Sequence, residues 1–192
     1  MAIMDPDVKK WLKGEGEAFL RDLGIKGGQV VLDFGCGAGH YTIPAAKTVG
    51  KEGKVYALDK DKWELARLMQ QSKSEGIQHI VPMETSGELT ISLEGESVQA
   101  VLVYDTLHYL TVHERRALYG EAHRVLTNDG VLLVYPKHHQ SDEPLWNLKD
   151  MKLEEVIDEI ECANFSLDRK SFKNLLHNYA YTEGVVLSFT KG

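Results

Sequence analysis

Cysteine is scarce in this chain, with only Cys36 and Cys162 among 192 residues. Two thiols cannot build the multi-bridge framework of a small secreted domain, and no Cys-x-x-Cys spacing offers a structural zinc site. Long apolar runs are absent as well, none approaching the ~20 consecutive residues that span a bilayer. The opening residues, Met1-Ala2-Ile3-Met4-Asp5-Pro6, lack the basic-then-apolar order of a secretion signal. The cytoplasm is therefore the expected compartment. Excess positive charge is missing too: 22 Lys and Arg stand against 29 Asp and Glu, a net charge of -7. A polyanionic partner requires clustered cations, whereas Lys47, Lys51 and Lys54 are scattered around Glu52. Nucleic acid is not an expected partner. With no internal repeat and no low-complexity segment, residues 1–192 read as a single domain, within the usual ~50–250 residues.

What is present is concentrated in Val31-Leu32-Asp33-Phe34-Gly35-Cys36-Gly37-Ala38-Gly39-His40-Tyr41-Thr42. Apolar β-formers run into an acid, three glycines follow at alternate positions, and a helix is expected over about Tyr41–Thr48. Glycine supplies positive φ and leaves no Cβ in the way, so this order describes a strand ending where backbone approaches a ligand closely. A second apolar strand, Val55-Tyr56-Ala57-Leu58, ends at Asp59, 20 residues beyond Gly39. A carboxylate at that place in a nucleotide-binding β-α-β unit accepts hydrogen bonds from a ribose diol. The competing reading, a nicotinamide dinucleotide site, needs Gly-x-Gly-x-x-Gly, and its third glycine would fall on His40.

The remaining chain alternates. Val8, Trp11, Leu12, Phe19 and Leu23 recur at helical spacing over residues 8–23. A second helix carries Trp63, Leu65, Ala66, Leu68 and Met69 and stops near Gly76, and here Trp63 reads as core or edge packing. Strands are expected near 77–83, 101–104, 131–134, 166–171 and 184–190, with helices over 112–124 and 153–163. Such alternation implies parallel strands joined by helical crossovers, with an antiparallel pair at the end.

These motifs resemble the class I S-adenosylmethionine-dependent methyltransferases, most closely the ubiquinone/menaquinone type. Asp33, Gly35, Gly37 and Gly39 match the family's acid-x-Gly-x-Gly-x-Gly motif at all four fixed positions. Asp59, the run Val101–Tyr109 and the run Glu121–Val134 follow in the family's order. The resemblance implies an α/β, Rossmann-like three-layer sandwich: a mostly parallel seven-stranded sheet with an antiparallel final strand. It implies S-adenosylmethionine as cofactor, S-adenosylhomocysteine as product and a small-molecule acceptor; a homodimer would help close the site. Asp33, Gly35, Cys36, Gly37 and Gly39 would hold the methionine part and adjoining ribose. Asp59 would take the ribose hydroxyls beside Lys60, with Glu84, Thr85 and Ser86 near the adenine and Tyr104 and Asp105 completing the pocket. The N-terminal helix, residues 1–24, would cover the substrate site and offer Trp11. A nucleotide-dependent oxidoreductase and a cofactor-binding protein without turnover are the alternative functions.

Methyl transfer from a sulfonium needs mainly alignment of the nucleophile, and a base only when the acceptor carries a proton to lose. His108 is the candidate base, since imidazole titrates near neutrality. In Tyr135-Pro136-Lys137-His138-His139-Gln140-Ser141-Asp142 the histidines His138 and His139 are candidate substrate contacts in a solvated loop, with Trp146 placed to face it. Adjacent histidines suit metal ligation, with His108 as a third. Metal-dependent catechol-type relatives, however, carry an Asp-Asn pair after this strand. That pair is missing, so no metal is expected.

Overall fold

The computed structural model describes residues 5–87 and 89–192. Met1–Met4 of the expected N-terminal helical segment lie outside the described residues. Seven strands form one mixed sheet of order β3-β2-β1-β4-β5-β7-β6, and the residues group into two compact units.

The first unit holds residues up to Ser86 together with Asn174–Glu183. It opens with α1 (Pro6–Lys10), where the Asp5 carboxylate accepts from the Asp7 N–H at 2.9 Å and proline fills the first turn. The single helix expected over 8–23 is interrupted: a kink within Trp11–Glu15, where Gly14 leaves helical geometry at φ +149°, precedes α2 (Gly16–Asp22). The apolar face survives the break, because Val8, Trp11, Leu12, Phe19 and Leu23 are all buried. Strands β1 (Val30–Phe34), β2 (Lys54–Asp59) and β3 (Ile80–Glu84) pair in parallel, with Asp33 opposite Ala57 and Asp59 opposite Glu84. Helices α3 (Thr42–Val49) and α4 (Lys62–Ser74) make the connections. Trp63 is 73% exposed, against the packing role expected for it. Helix α4 buries Leu65, Leu68 and Ser72, and Trp63 lies two residues, or about 200°, from Leu65 around the axis.

The second unit contains Gly87–Lys173 and Gly184–Gly192. Its strands β4 (Val98–Tyr104) and β5 (Leu126–Tyr135) run parallel, and β7 (Ala180–Lys191) pairs antiparallel with β5. Helix α5 (Val112–Val125) starts at a reciprocal Thr111–Glu114 capping box, and α6 (Leu153–Glu161) buries Val156, Ile157 and Ile160. The two helices are joined by a bidentate ion pair: Arg115 Nε and Nη2 donate to Glu159 Oε1 and Oε2 at 2.7 and 2.9 Å. The last two strands are longer than their apolar content suggests. Strand β6 (Phe165–His177) reaches β7 through a tight turn in which Asn178 adopts φ +54°. Among the described residues no helix is long and apolar enough to cross a membrane.

Candidate functional site

Two groups of candidate residues take shape, one in each unit. In the first, β1 delivers Asp33 into the interior, 3% exposed, where the Thr42 hydroxyl donates to its Oδ2 at 2.6 Å. Burial pushes the Asp33 carboxyl up to about 7; the Thr42 bond opposes the rise and the nearby Asp59 charge adds to it. The chain then turns sharply. The Gly35 and Cys36 N–H groups both donate to the Leu58 carbonyl, and the Gly37 N–H donates to Asp59 Oδ2 at 2.7 Å. At Gly37, φ is +49° and an added Cβ would meet no atom within 4 Å, so the backbone here borders open space. Gly39 has the opposite need: at φ +89°, its Cβ would come within 2.3 Å of Leu68 Cδ1 on α4. One glycine keeps a face clear and the other lets α4 pack against the turn.

Asp59 ties this loop together. Its Oδ1 accepts from the Asp61 N–H at 2.9 Å and its main-chain carbonyl accepts from the Thr85 N–H at 3.1 Å. Each carboxylate oxygen has a second lone pair, so the group can anchor the loop and still accept from a diol. The structure thus gathers Asp33, Gly35, Cys36, Gly37, Gly39, Asp59 and Thr85 around one turn. Lys60, Glu84 and Ser86 are exposed beside them. The Cys36 thiol is buried, which pushes its pKa far above the ordinary range and makes it a packing group rather than a nucleophile. Thr42 was not singled out in the sequence; a hydroxyl nine residues after the buried acid, at the first turn of the next helix, was its only signal. Trp11 is 1% exposed, its indole N–H donates to the His40 carbonyl at 2.8 Å, and its ring packs against Phe19, Tyr41 and Tyr181. That is a core position, unlike the substrate contact expected of it.

The second group lies in the other unit, at the ends of β4 and β5. Tyr104 is buried, and Asp105, at φ +52°, donates its N–H to the Tyr135 carbonyl at 3.1 Å. A 3-10 turn at Leu107–Tyr109 then buries His108, only 1% exposed. The loop after β5 is folded inward instead of solvated, with Lys137, His138 and His139 all buried. The Lys137 ammonium is neutralised by Asp142 at 2.6 Å and Glu143 at 3.4 Å, which lets it enter the interior. His138 is held by Glu143, whose carbonyl accepts from its Nδ1–H at 2.8 Å. His139 has another partner: its Nδ1 accepts from the Ser141 N–H at 3.3 Å, and burial moves its pKa below the ordinary value. Asp105 Oδ1 stands 3.5 Å from His108 Nδ1 and 3.6 Å from His138 Nε2. The His108 ring stacks on Trp146 at 5.2 Å and lies 4.0 Å from the Tyr109 ring. His108, Tyr109, Trp146 and Asn147 line an open recess of about 250 Å³.

A strand, a buried acid, a glycine turn cleared at Gly37 and an acid ending the next strand form one local unit, and the methyltransferase domain model matches residues 31–130 around it. The chain belongs to the methyltransferase domain family. A solved S-adenosylmethionine-dependent methyltransferase from Aquifex aeolicus superposes with a TM-score of 0.74 at 25% identity, covering 95% of this chain and 98% of that one. The demethylmenaquinone methyltransferase of Geobacillus stearothermophilus is 30% identical over 122 residues, 64% of this chain and 49% of that protein. That of Lactobacillus johnsonii is 27% identical over 117 residues, 61% of this chain and 47% of the relative. The chain thus spans about half the length, or less, of the curated relatives it matches. The Aquifex aeolicus protein is named for its dependence on S-adenosylmethionine, and the residues of the glycine turn fit that cofactor. The backbone is open at Gly37, the Asp59 carboxylate retains accepting capacity, and the desolvated Asp33 would gain from a cationic neighbour such as an α-ammonium.

Proposed function

We propose that this chain transfers the methyl group of S-adenosylmethionine to a small-molecule acceptor by in-line displacement. The observation that carries the reading is the glycine turn pinned to Asp59, with the Gly37 N–H on Oδ2 and open space beside it. When bound, S-adenosylmethionine supplies a methyl group already activated by its sulfonium. Gly35, Gly37 and Gly39, with Asp33 and Cys36, border the methionine part and ribose; Asp59 accepts from the ribose hydroxyls beside Lys60. Glu84, Thr85 and Ser86 serve the adenine, and Tyr104 and Asp105 belong to the same binding assignment. On the acceptor side, His108 accepts a proton where the nucleophile carries one, with the Asp105 carboxylate 3.5 Å from its Nδ1. The exposed Tyr109 and Trp146 rings beside it suit a flat acceptor, in keeping with the quinone-type substrate in the names of two relatives.

Calorimetric titration of the purified chain with S-adenosylmethionine, S-adenosylhomocysteine and NADH tests the reading. Binding of the first two in the micromolar range, with NADH silent, is expected and justifies a labelled-methyl screen of metabolite acceptors. Binding of NADH alone would overturn it in favour of an oxidoreductase. Cofactor binding with no transfer across the screen would favour a binding protein without turnover.

A further inference from the structure

We propose that Asp105, His108 and His138 form a binding site for a divalent transition-metal ion, which goes beyond the methyl-transfer reading and does not depend on it. One carboxylate oxygen and one nitrogen from each imidazole lie within 4.8 Å of one another. Asp105 Oδ1 is 3.5 Å from His108 Nδ1 and 3.6 Å from His138 Nε2, too long in both cases for a direct hydrogen bond. Two ligands each ~2.1 Å from a shared tetrahedral ion stand about 3.4 Å apart. Both spacings from Asp105 match that separation.

The tautomer of His138 agrees. A carbonyl can only accept, so the 2.8 Å contact with Glu143 places the proton on Nδ1 and, in the neutral ring, leaves the Nε2 lone pair on the side of Asp105. Anchoring one ring nitrogen to a carbonyl so that the other points at the ion is the usual outer-shell arrangement of a histidine ligand. Charge agrees as well, since the nearby Lys137 ammonium is already neutralised by Asp142 and Glu143. Two imidazoles and one carboxylate suit zinc, cobalt, iron, manganese or nickel better than magnesium or calcium, which prefer oxygen ligands alone.

The backbone around these residues is strained. Among the described residues seven non-glycine positions have left-handed φ, and four of them are Asp105, His138, Glu143 and Trp146. Each such residue costs on the order of 1–3 kcal/mol, and such outliers cluster where a site demands them. Trp146 and Tyr109 wedge the His108 ring from the outside, and His108 lines the recess, so a three-ligand ion here would keep an open position. An ion on His108 Nδ1 would leave the neutral ring's proton on Nε2, which could then accept no other, so the two uses of this ring exclude each other at any instant.

The test uses the untagged chain after chelator treatment, titrated with zinc by calorimetry and with cobalt(II) by visible absorption, beside a separate S-adenosylmethionine titration. One zinc per chain with micromolar or tighter affinity is expected, together with cobalt bands of a four- or five-coordinate nitrogen/oxygen site. His138→Gln and Asp105→Asn should each weaken zinc at least tenfold; asparagine tolerates the left-handed backbone at position 105. Zinc affinity unchanged in both variants, or no stoichiometric binding in the wild type, would overturn the proposal. The cofactor titration stands apart from this outcome: zinc bound without S-adenosylmethionine would refute the methyl-transfer reading alone, and the converse would refute the metal site alone.

Discussion

Replacing Asp33 with asparagine should make the cofactor-free protein more stable at alkaline pH while weakening its grip on the cofactor. The carboxyl rises from an ordinary value of 3.8 to about 7 in the folded chain, chiefly through burial. Between those values the folded protein holds a proton that the unfolded chain has already released. Asp33 therefore destabilises the fold progressively as pH rises above 3.8, and its cost is complete above about 7. At ~1.36 kcal/mol per pKa unit the full cost is about 4 kcal/mol, of which roughly 2–3 kcal/mol accrues between pH 5 and pH 8. Asparagine can still accept the Thr42 hydroxyl bond but carries no charge. Its new amide hydrogens add a burial cost that does not change with pH, so the informative quantity is the change in the variant-minus-wild-type difference. Urea denaturation at pH 5 and pH 8 measures it. With a slope of ~1–3 kcal/mol per molar urea, the gap in midpoints should widen in favour of Asp33→Asn by about 1 M at the higher pH. A gap that stays constant or narrows would refute the claim that Asp33 is held desolvated and ionised. Cofactor affinity should fall in the same variant, since a destabilising buried charge is tolerated where function needs it.

Asp59→Ala should weaken S-adenosylmethionine by at least tenfold, about 1.4 kcal/mol, because it removes the proposed diol acceptor and the anchor of the Gly37 N–H; unchanged affinity by calorimetry would take Asp59 out of the site. His108→Asn should slow turnover of a proton-bearing acceptor more than it alters cofactor affinity, and full activity would exclude the base role. Arg115→Met should cost about 3–5 kcal/mol in denaturant titration by leaving the Glu159 carboxylate buried and unpaired, and adding Glu159→Leu should recover most of the loss. A single variant as stable as the wild type would show that the pair contributes nothing to joining α5 to α6.

What could be read from the sequence was short-range. The order apolar strand, Asp33, alternate glycines, helix is a local statement, because positive φ at Gly37 and Gly39 is required by the turn itself. The alternation of strands and helices and the family followed from the same pattern. Wherever a property depended on partners distant in the chain, sequence periodicity fell short. The helix over 8–23 divides at Gly14, yet keeps its apolar face buried. Trp63 is apolar but points outward, because its angle around α4 is set by Leu65 and Leu68. The polar run His138-His139 is buried because Asp142 and Glu143 neutralise Lys137 and the Glu143 carbonyl holds His138, contacts that exist only once the loop has closed. His138 and His139 are neighbours in sequence, but the structure gives them different partners and sets His138 against Asp105, 33 residues earlier. Composition and local pattern determined the class of fold and the place of the glycine turn. Tertiary packing alone decided which charged and aromatic side chains meet, since desolvation and ligand geometry belong to the assembled chain and not to any stretch of it.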